Sequence, residues 1–271
     1  MKRNNRFTTA FCSNREEVLF PNEMPFTCQI KGLNLAQKSF LVYEAMGSKY
    51  LVYDNNWGDD LDIIRSTIFR KNHLVMLDAG CGPGWHLEQC AKLREFDHLI
   101  GIDYSPQMLK ESHQRLANFI TMNRIQLLQK NILNLRLPPA SADVIVCFNN
   151  TLGNLLEADM IGASSARENG IAELKKVLRR GGYLIISVLN RDTFSQNNGY
   201  GTRVLRVDLE RSNIEKGDFV VLYKTADGWE CPYFSHWFNQ NEVLNLLTKF
   251  GMEVIELLKR KKRLIVIARK K

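Results

Sequence analysis

The sequence lacks any apolar run long enough to span a membrane, and the basic residues at its start are not followed by the apolar region of a signal peptide. We therefore expect a cytoplasmic protein with no membrane partner. The sequence also has no C-x-x-C pair and no ligand-like histidine spacing, so it predicts neither a metal site nor a disulfide framework. The six cysteines are Cys12, Cys28, Cys81, Cys90, Cys147 and Cys231.

The sequence has fewer acidic than basic residues. The 37 Lys and Arg and the 29 Asp and Glu give a net charge of +8. Such an excess raises nucleic acid as an alternative partner. Two basic clusters have a local explanation instead. The cluster Lys175–Arg180 closes a predicted helix that ends at Gly181-Gly182, where cations favour the helix dipole. The cluster Lys259–Arg263 is interpreted as a solvated turn between two strands, so we do not favour nucleic acid.

Strands and helices alternate between residues 57 and 190, which predicts a parallel sheet because crossover connections are right-handed. With 45% apolar residues, the chain can bury one large core with an inserted cap. The predicted helices are Trp57–Asn72, Trp85–Glu95, Pro106 to about Met122, and Ala166–Leu178. The predicted strands are Leu74–Asp78, His98–Asp103, Ile125–Gln129, Ala142–Phe148 and Tyr183–Leu189.

The alternation stops after residue 190. Two segments, Arg203–Leu209 and Phe219–Tyr223, alternate like antiparallel strands, so residues 191–238 are interpreted as a β-rich insertion. A helix over Gln240–Phe250, capped by Asn239, and two closing strands follow. The turn between these strands is too short for a crossover, so the last strand is predicted to be antiparallel. The closing strands are Met252–Leu258 and Leu264–Ala268.

The segment from Leu74 to Trp85 is the most informative part of the chain. An apolar strand ends at Asp78, and glycines then occupy every second position before a helix begins. In this arrangement, backbone N–H groups and a helix N-terminus face a ligand. The NAD fingerprint would need a glycine where Trp85 stands. The Asp78 carboxylate would also repel a pyrophosphate, whereas it would attract the ammonium group of a methionine moiety.

The run Asp78-Ala79-Gly80-Cys81-Gly82-Pro83-Gly84 resembles the first motif of the class I S-adenosylmethionine-dependent methyltransferases. The resemblance implies a Rossmann-like α/β fold with a seven-stranded, mostly parallel sheet, its last strand antiparallel, and helices on both faces. This core covers residues 57–190 and 239–271. The resemblance further implies an N-terminal lid over residues 1–56, and we expect the insertion to be an acceptor cap. The implied cofactor is S-adenosyl-L-methionine, held by Asp78, Gly80, Cys81, Gly82 and Gly84.

The acidic residue that ends the second strand resembles the second motif of the same family. This residue is Asp103, and a carboxylate here can accept hydrogen bonds from both ribose hydroxyls. Tyr104 and Met108 are candidates for adenine contacts, although either can equally be a packing residue. The family usually has an aspartate after the third strand that accepts from the adenine amino group. Here the position is Asn131, followed by Ile132, and an amide oxygen can accept the same bond.

The segment after the fourth strand begins with Asn149 and Asn150 and resembles the glycine N-methyltransferase-like, small-molecule branch. It lacks the Asn/Asp-Pro-Pro-aromatic signature of DNA amino-methyltransferases. We expect Asn149 at the cofactor and Asn150 near the chemistry, with loop-backbone bonding as the alternative for both. His236, in an aromatic segment that returns to the core, is the candidate general base. Its alternative is a structural role in which the ring hydrogen-bonds the backbone.

The sequence therefore predicts methyl transfer to nitrogen or oxygen of a small-molecule acceptor by in-line displacement. The protein needs to hold the nucleophile about 3–3.5 Å from the methyl carbon and to exclude water. Aromatic residues near the N-terminus either wall this site or pack a helix. They are Tyr43, Tyr50, Tyr53 and Trp57. Two alternative functions remain open: an RNA methyltransferase and a catalytically silent S-adenosylmethionine-binding protein.

Overall fold

The computed structural model describes residues 6–7, 18–19, 33–46, 57–157, 163–193, 203–205, 215–224 and 230–271. The strands are β1 (Arg6–Phe7), β2 (Val18–Leu19), β3 (Leu74–Ala79), β4 (Phe96–Asp103), β5 (Ile125–Gln129), β6 (Ala142–Cys147), β7 (Leu178–Leu189), β8 (Arg203–Leu205), β9 (Asp218–Lys224), β10 (Glu230–His236), β11 (Met252–Arg260) and β12 (Arg263–Lys270). The helices are α1 (Leu35–Met46), α2 (Trp57–Thr67), α3 (Trp85–Cys90), α4 (Pro106–Thr121), α5 (Ala163–Val177) and α6 (Gln240–Lys249). Within this described part, no helix has both the length and the apolar character needed to cross a bilayer.

Seven strands form the main sheet, in the order β11-β12-β7-β6-β3-β4-β5. The strands from β3 to β7 are parallel, whereas β12 is antiparallel to both of its neighbours. The predicted fold, a mostly parallel seven-stranded sheet with its last strand reversed, is confirmed. The reversal follows from the connection, because only two residues join β11 to β12.

Helices cover both faces of the main sheet, so its central strands are buried on both sides. Five of the six residues of β3 are buried, as expected for a strand between two helical layers. On one face, α5 and α6 contribute Leu174 and Leu247 to the core. On the other face, α2, α3 and α4 contribute Ile64, Leu87 and Leu116. This packing leaves the carboxyl ends of the strands as the edge where a ligand can enter.

Two predicted helices extend too far. Helix α2 ends at Thr67 rather than Asn72, and Arg70 just beyond it has φ +63°, a left-handed conformation through which a helix cannot continue. Helix α3 ends at Cys90 rather than Glu95. Just beyond the end of this helix, the guanidinium group of Arg124 donates hydrogen bonds to three backbone carbonyl oxygens. These carbonyls belong to Ala91, Leu93 and Phe96.

The prediction that Gly181-Gly182 ends a helix is wrong. Helix α5 ends at Val177, and β7 begins at the next residue and runs through both glycines. The pair lies where the register between β6 and β7 shifts, and a Cβ atom on Gly182 would come within 2.8 Å of the Asp143 carbonyl oxygen. Glycine is therefore needed here for close backbone approach inside a strand, which is a common alternative to a helix end.

The insertion contains a three-stranded antiparallel sheet in the order β10-β9-β8. Strand β9 includes the predicted segment Phe219–Tyr223, and β8 covers the first three residues of the predicted segment Arg203–Leu209, whose remainder lies outside the described residues. Strand β10 was not predicted, and it contains Pro232, which cannot donate a backbone hydrogen bond to a sheet. The structure places Pro232 on an edge strand, where a missing N–H group is tolerated.

Candidate cofactor and acceptor site

The glycine turn after β3 is anchored to β4 and leaves its backbone accessible. The N–H groups of Gly80 and Cys81 both donate to the Ile102 carbonyl at 2.9 Å. Gly82 has φ +52°, and a Cβ atom there would meet nothing within 4 Å. A Cβ atom on Gly80 would instead lie 2.5 Å from the Thr151 side chain. The turn therefore presents open backbone on one side and close packing on the other.

Asp103 stands at the carboxyl end of β4, with both carboxylate oxygens held by backbone groups. Its Oδ2 accepts from the Gly82 N–H at 2.8 Å, and its Oδ1 accepts from the Ser105 N–H at 2.9 Å. Ser105 is itself the N-cap of α4 and accepts from the Met108 N–H. Burial raises the pKa of Asp103, although these backbone hydrogen bonds oppose the shift. The carboxylate is thus fixed in place beside the glycine turn.

Asp78 lies beneath the glycine turn, with 1% of its surface exposed. Its Oδ2 finds no hydrogen-bond donor among the described residues. Burial raises the pKa of Asp78 to about 6, while the nearby His86 acts in the opposite direction. A buried carboxylate oxygen without a donor is costly unless a cation comes close. This arrangement fits the ammonium group of S-adenosylmethionine.

A cavity of about 430 Å³ opens beside these groups, at the carboxyl ends of β3, β4 and β6. This volume lies within the range of small-molecule sites. Most of the predicted cofactor residues line it: Gly80, Cys81, Gly82, Asp103, Tyr104, Met108, Asn131, Ile132 and Asn149. Asp78 and Gly84 are not among the lining residues. Gly84 instead lets α3 approach α4, since a Cβ atom there would lie 2.4 Å from Ser112 Oγ.

Helix α1, which lies in the predicted lid segment, forms one wall of the cavity. Of its residues, the sequence analysis named only Tyr43 as a candidate for this wall. That side chain lines the cavity, and Phe40 packs edge-on against Tyr104 at a centroid distance of 5.2 Å. The buried Glu44 accepts hydrogen bonds from the Ser105 hydroxyl and, at 3.3 Å, from the Gln107 N–H. Burial raises the pKa of Glu44. Tyr50, Tyr53 and the side chain of Trp57 lie outside the described residues.

The three asparagines have different environments. Asn131 lines the cavity, but its Oδ1 accepts from the Leu133 N–H at 2.9 Å and caps a short 3-10 turn. Asn149 also lines the cavity and has φ +52°. Asn150 is buried outside it, accepts from the Leu189 N–H, and donates to the Ser235 hydroxyl. Asn150 thus ties the inserted sheet to the core, which favours its structural alternative.

His236 is fully buried and does not line the cavity. Its Nδ1 lies 2.6 Å from Asp218 Oδ1, and its Nε2 lies 2.7 Å from Glu242 Oε1. The ring therefore cross-links β9, β10 and α6. This geometry favours a structural role over the predicted general base, with carboxylates rather than backbone groups as the partners. Around it, Arg167 pairs with Glu215 and Asp218, and Arg191 pairs with Glu242.

A different histidine, His86, stands in the cavity wall and was not identified from the sequence. Its Nε2 lies 3.2 Å from Asp60 Oδ2, and Asp60 is held in turn by Arg263. Arg263 is therefore buried, and the prediction that the whole cluster Lys259–Arg263 is solvated is wrong at this residue. The one available signal was position, since His86 follows the last motif glycine by two residues.

Known proteins are similar to this chain in sequence and in fold. A methyltransferase domain family matches residues 70–251. A probable S-adenosylmethionine-dependent methyltransferase of Mycobacterium tuberculosis is 29% identical over 178 residues, which cover 59% of this chain and 58% of that protein. The U6 snRNA (guanine-N(2))-methyltransferase THUMPD2 of Bos taurus is 30% identical over 116 residues, which cover 43% of this chain and 22% of that protein.

Among solved structures, S-adenosylmethionine-bound CalS10, an amino pentose methyltransferase from Micromonospora echinaspora, has a similar fold. The TM-score is 0.60 at 22% identity, over 84% of this chain and 97% of that chain. The chain spans 58% of the length of the mycobacterial relative. The family match covers more than half of the chain and includes the glycine turn and the carboxyl ends of the central strands. The chain belongs to the class I S-adenosylmethionine-dependent methyltransferases.

Proposed function

We propose that this methyltransferase acts on nitrogen or oxygen of a small-molecule acceptor. The observation that carries the proposal is the position of α1 over the cavity. Ser39 of α1 accepts from the Phe234 N–H of β10 at 2.9 Å, and Glu44 binds the start of α4. The helix thus bridges the core and the inserted sheet, and it walls a cavity of about 430 Å³. A walled cavity of this size suits a compact acceptor held against the cofactor.

The cofactor is proposed to lie across the glycine turn, with the nine predicted residues that line the cavity around it. Asp103 would accept from the ribose hydroxyls, because its oxygens keep acceptor capacity beyond the two backbone bonds. Asp78 would attract the methionine ammonium group from beneath the turn. When bound, S-adenosylmethionine supplies an activated methyl group. The N-terminal segment would act as a lid and residues 191–238 as the acceptor cap.

The charge distribution supports a small molecule over RNA. Among the described lining residues, Lys130 is the only lysine or arginine, and the lining also includes the acidic residues Asp103 and Glu157. The cluster Lys175–Arg180 lies at the opposite edge of the sheet, where Lys270 Nζ donates to the carbonyls of Lys175 and Leu178 at 2.7 and 2.6 Å. The cluster Lys259–Arg263 lies at the carboxyl end of β7, where Arg263 is paired with Asp60. RNA binding needs cations that follow the phosphate backbone to the reacting site. The similarity to CalS10 agrees with a small molecule, and that to THUMPD2 with RNA.

The test measures S-adenosylhomocysteine formation by the purified chain with labelled S-adenosylmethionine and two acceptor sets. One set contains small amines and hydroxyl compounds, and the other is a pool of cellular RNA. We expect product from the first set, at a rate that changes little between 50 and 200 mM salt, unlike RNA binding. Product from RNA alone would establish the RNA alternative. Tight cofactor binding without product from either set would favour the catalytically silent alternative.

The cofactor site is tested separately with Asp103→Ala. We expect this change to weaken S-adenosylhomocysteine binding by about 2–4 kcal/mol, because ribose donors lose a charged acceptor in a partly dry site. The matched control is Asp97→Ala on the same strand, where the side chain is 58% exposed and pairs with His73. Calorimetric titration should show no change for the control. An unchanged dissociation constant for Asp103→Ala would show that Asp103 is not the ribose ligand.

A further inference from the structure

The N-terminus of α4 is capped from two separate parts of the chain. Its first residue, Pro106, has no backbone N–H to satisfy. The N–H of Met108 donates to the Ser105 hydroxyl at 3.0 Å, within the same segment. The N–H of Gln107 donates at 3.3 Å to Glu44, which lies on α1 and precedes it by 63 positions. A carboxylate from the N-terminal segment therefore completes the cap of a core helix.

A second hydrogen bond joins Glu44 to the same cap. The Ser105 hydroxyl donates to a carboxylate oxygen of Glu44. Both residues are buried, with 2% of Ser105 and 7% of Glu44 exposed. The hydroxyl thus donates to α1 and accepts from α4, and these two bonds fix its position. Removing the Glu44 carboxylate would leave a buried hydroxyl without its acceptor, which is costly.

The cap is continuous with the carboxylate proposed to bind the ribose. The Ser105 N–H donates to Asp103 Oδ1 at 2.9 Å, and the Gly82 N–H donates to Asp103 Oδ2 at 2.8 Å. Asp103 and Ser105 line the cavity, whereas Glu44 is not among its described lining residues. Hydrogen bonds therefore lead from Glu44 through Ser105 to Asp103, although Glu44 itself does not border the cavity.

The charges indicate that Glu44 contributes geometry rather than charge. Burial raises the pKa of both Glu44 and Asp103, and the negative charge of Glu44 further disfavours the ionised form of Asp103. A charged Glu44 thus opposes the form of Asp103 that accepts most strongly from hydroxyl groups. The useful contribution of Glu44 is its acceptor oxygen, and a neutral amide at the same position would also supply one.

We propose that Glu44 is a positioning residue for the cofactor, which acts through Ser105 on Asp103; this inference rests on the proposed assignment of Asp103 to the ribose hydroxyls. Packing of α1 against the core then does more than wall the cavity, because it completes the hydrogen bonds that orient Asp103. Cofactor affinity consequently depends on a side chain of the N-terminal segment. By linkage, bound cofactor favours the packed position of α1 to the same extent.

The test measures S-adenosylhomocysteine affinity in variants of the full chain by NMR titration, which extends to weak binding. Glu44→Ala should lower the affinity about tenfold, because Ser105 loses its acceptor and Asp103 loses its fixed orientation. Glu44→Gln keeps an acceptor oxygen at the same reach, so its affinity should stay within about twofold of the unaltered chain. The control is Glu111→Ala on α4, which removes an acceptor of the Gln107 side chain and should change nothing.

A double-mutant cycle with Asp103→Ala separates a positioning role from a purely structural one. If Glu44 acts through Asp103, adding Glu44→Ala to Asp103→Ala should lower the affinity by less than about twofold further. Independent, additive losses would overturn the inference. Unchanged affinity in Glu44→Ala would also overturn it, as would equal losses in Glu44→Ala and Glu44→Gln.

The single variant Asp103→Ala distinguishes failure of this inference from failure of the proposed cofactor site. Unchanged affinity in that variant would overturn the assignment of Asp103 to the ribose. A loss in Asp103→Ala without a loss in Glu44→Ala would overturn only the role of Glu44. If Glu44→Ala does not fold, Glu44→Asp takes its place. This change keeps the charge but shortens the side chain by one methylene group, so the same loss of affinity is expected.

Discussion

Two buried histidines are held by carboxylates in this enzyme, but they occupy different kinds of region. Among the described residues, His86 lies beside the carboxylate of Asp60 and borders the cavity. His236 has two carboxylate partners, one on each ring nitrogen, and lies away from the cavity at the junction of the inserted sheet and α6. A ring between two carboxylates satisfies both only when both of its nitrogens donate.

The charges in the second region sharpen this difference. The His236 cluster contains three carboxylates and two guanidinium groups, so a protonated ring brings the total charge to zero. These groups are Glu215, Asp218, Glu242, Arg167 and Arg191. The same cluster has carboxylates and an imidazole close enough to hold a metal ion, but its two guanidinium groups already neutralise most of its negative charge. The groups around His236 therefore have the balanced charges expected of a structural cross-link.

The largest expected effect comes from breaking the cross-link at Arg167, which is 3% exposed and pairs with Glu215 and Asp218. Arg167→Ala should lower the free energy of unfolding by about 3–5 kcal/mol, because it leaves buried carboxylate charge unmatched. Urea denaturation measures this loss. Arg179→Ala is the control, since its pair with Asp143 is exposed and should contribute less than about 1 kcal/mol. Equal losses in the two variants would show that the cluster is not a structural junction.

Substituting each histidine tests the comparison directly. His236→Gln should destabilise the fold by about 1–3 kcal/mol, because an amide has no second nitrogen to replace the ring nitrogens that contact Asp218 and Glu242. Its affinity for S-adenosylhomocysteine should not change. His86→Gln should have the smaller effect on unfolding, because Arg263 also holds the Asp60 carboxylate. A larger loss of stability in His86→Gln, or weakened cofactor binding in His236→Gln, would contradict this comparison.

The sequence predicted the core of the fold because local signals and burial agree there. Asp78, Asp103 and the glycines between them stand at strand ends and turns, where residue type follows from backbone geometry. Helix ends were predicted less well, since Arg124 ends α3 from a site 34 positions after Cys90. The partners of His86 also could not be predicted. Asp60 and Arg263 are 203 positions apart, and only the assembled sheet brings them together.

The acid stability of the enzyme should depend on the His236 cluster. Burial alone would raise the pKa values of Asp218 and Glu242, but hydrogen bonds from His236 and nearby guanidinium groups lower them below their usual values. A carboxyl group with a lowered pKa in the folded state stabilises the fold above its unfolded pKa, and this contribution is lost as the pH falls below about 4. Urea midpoints between pH 7 and pH 3 should fall less steeply in His236→Gln. Identical slopes of urea midpoint against pH in the unaltered chain and in His236→Gln would show that the cluster is not the source of the acid sensitivity.

The smallest expected effect concerns Asp78, whose pKa is raised to about 6 by burial. The raised pKa means that burial makes ionisation of this carboxyl group more costly than in water, and a ligand ammonium group offsets that cost. The affinity for S-adenosylhomocysteine should therefore fall about fourfold between pH 7.5 and pH 5.5, as Asp78 becomes protonated. Asp78→Asn should bind weakly at both pH values. The control ligand is methylthioadenosine, which has no amino-acid ammonium group. A matching fall in its affinity would show that Asp78 does not act on the ammonium group.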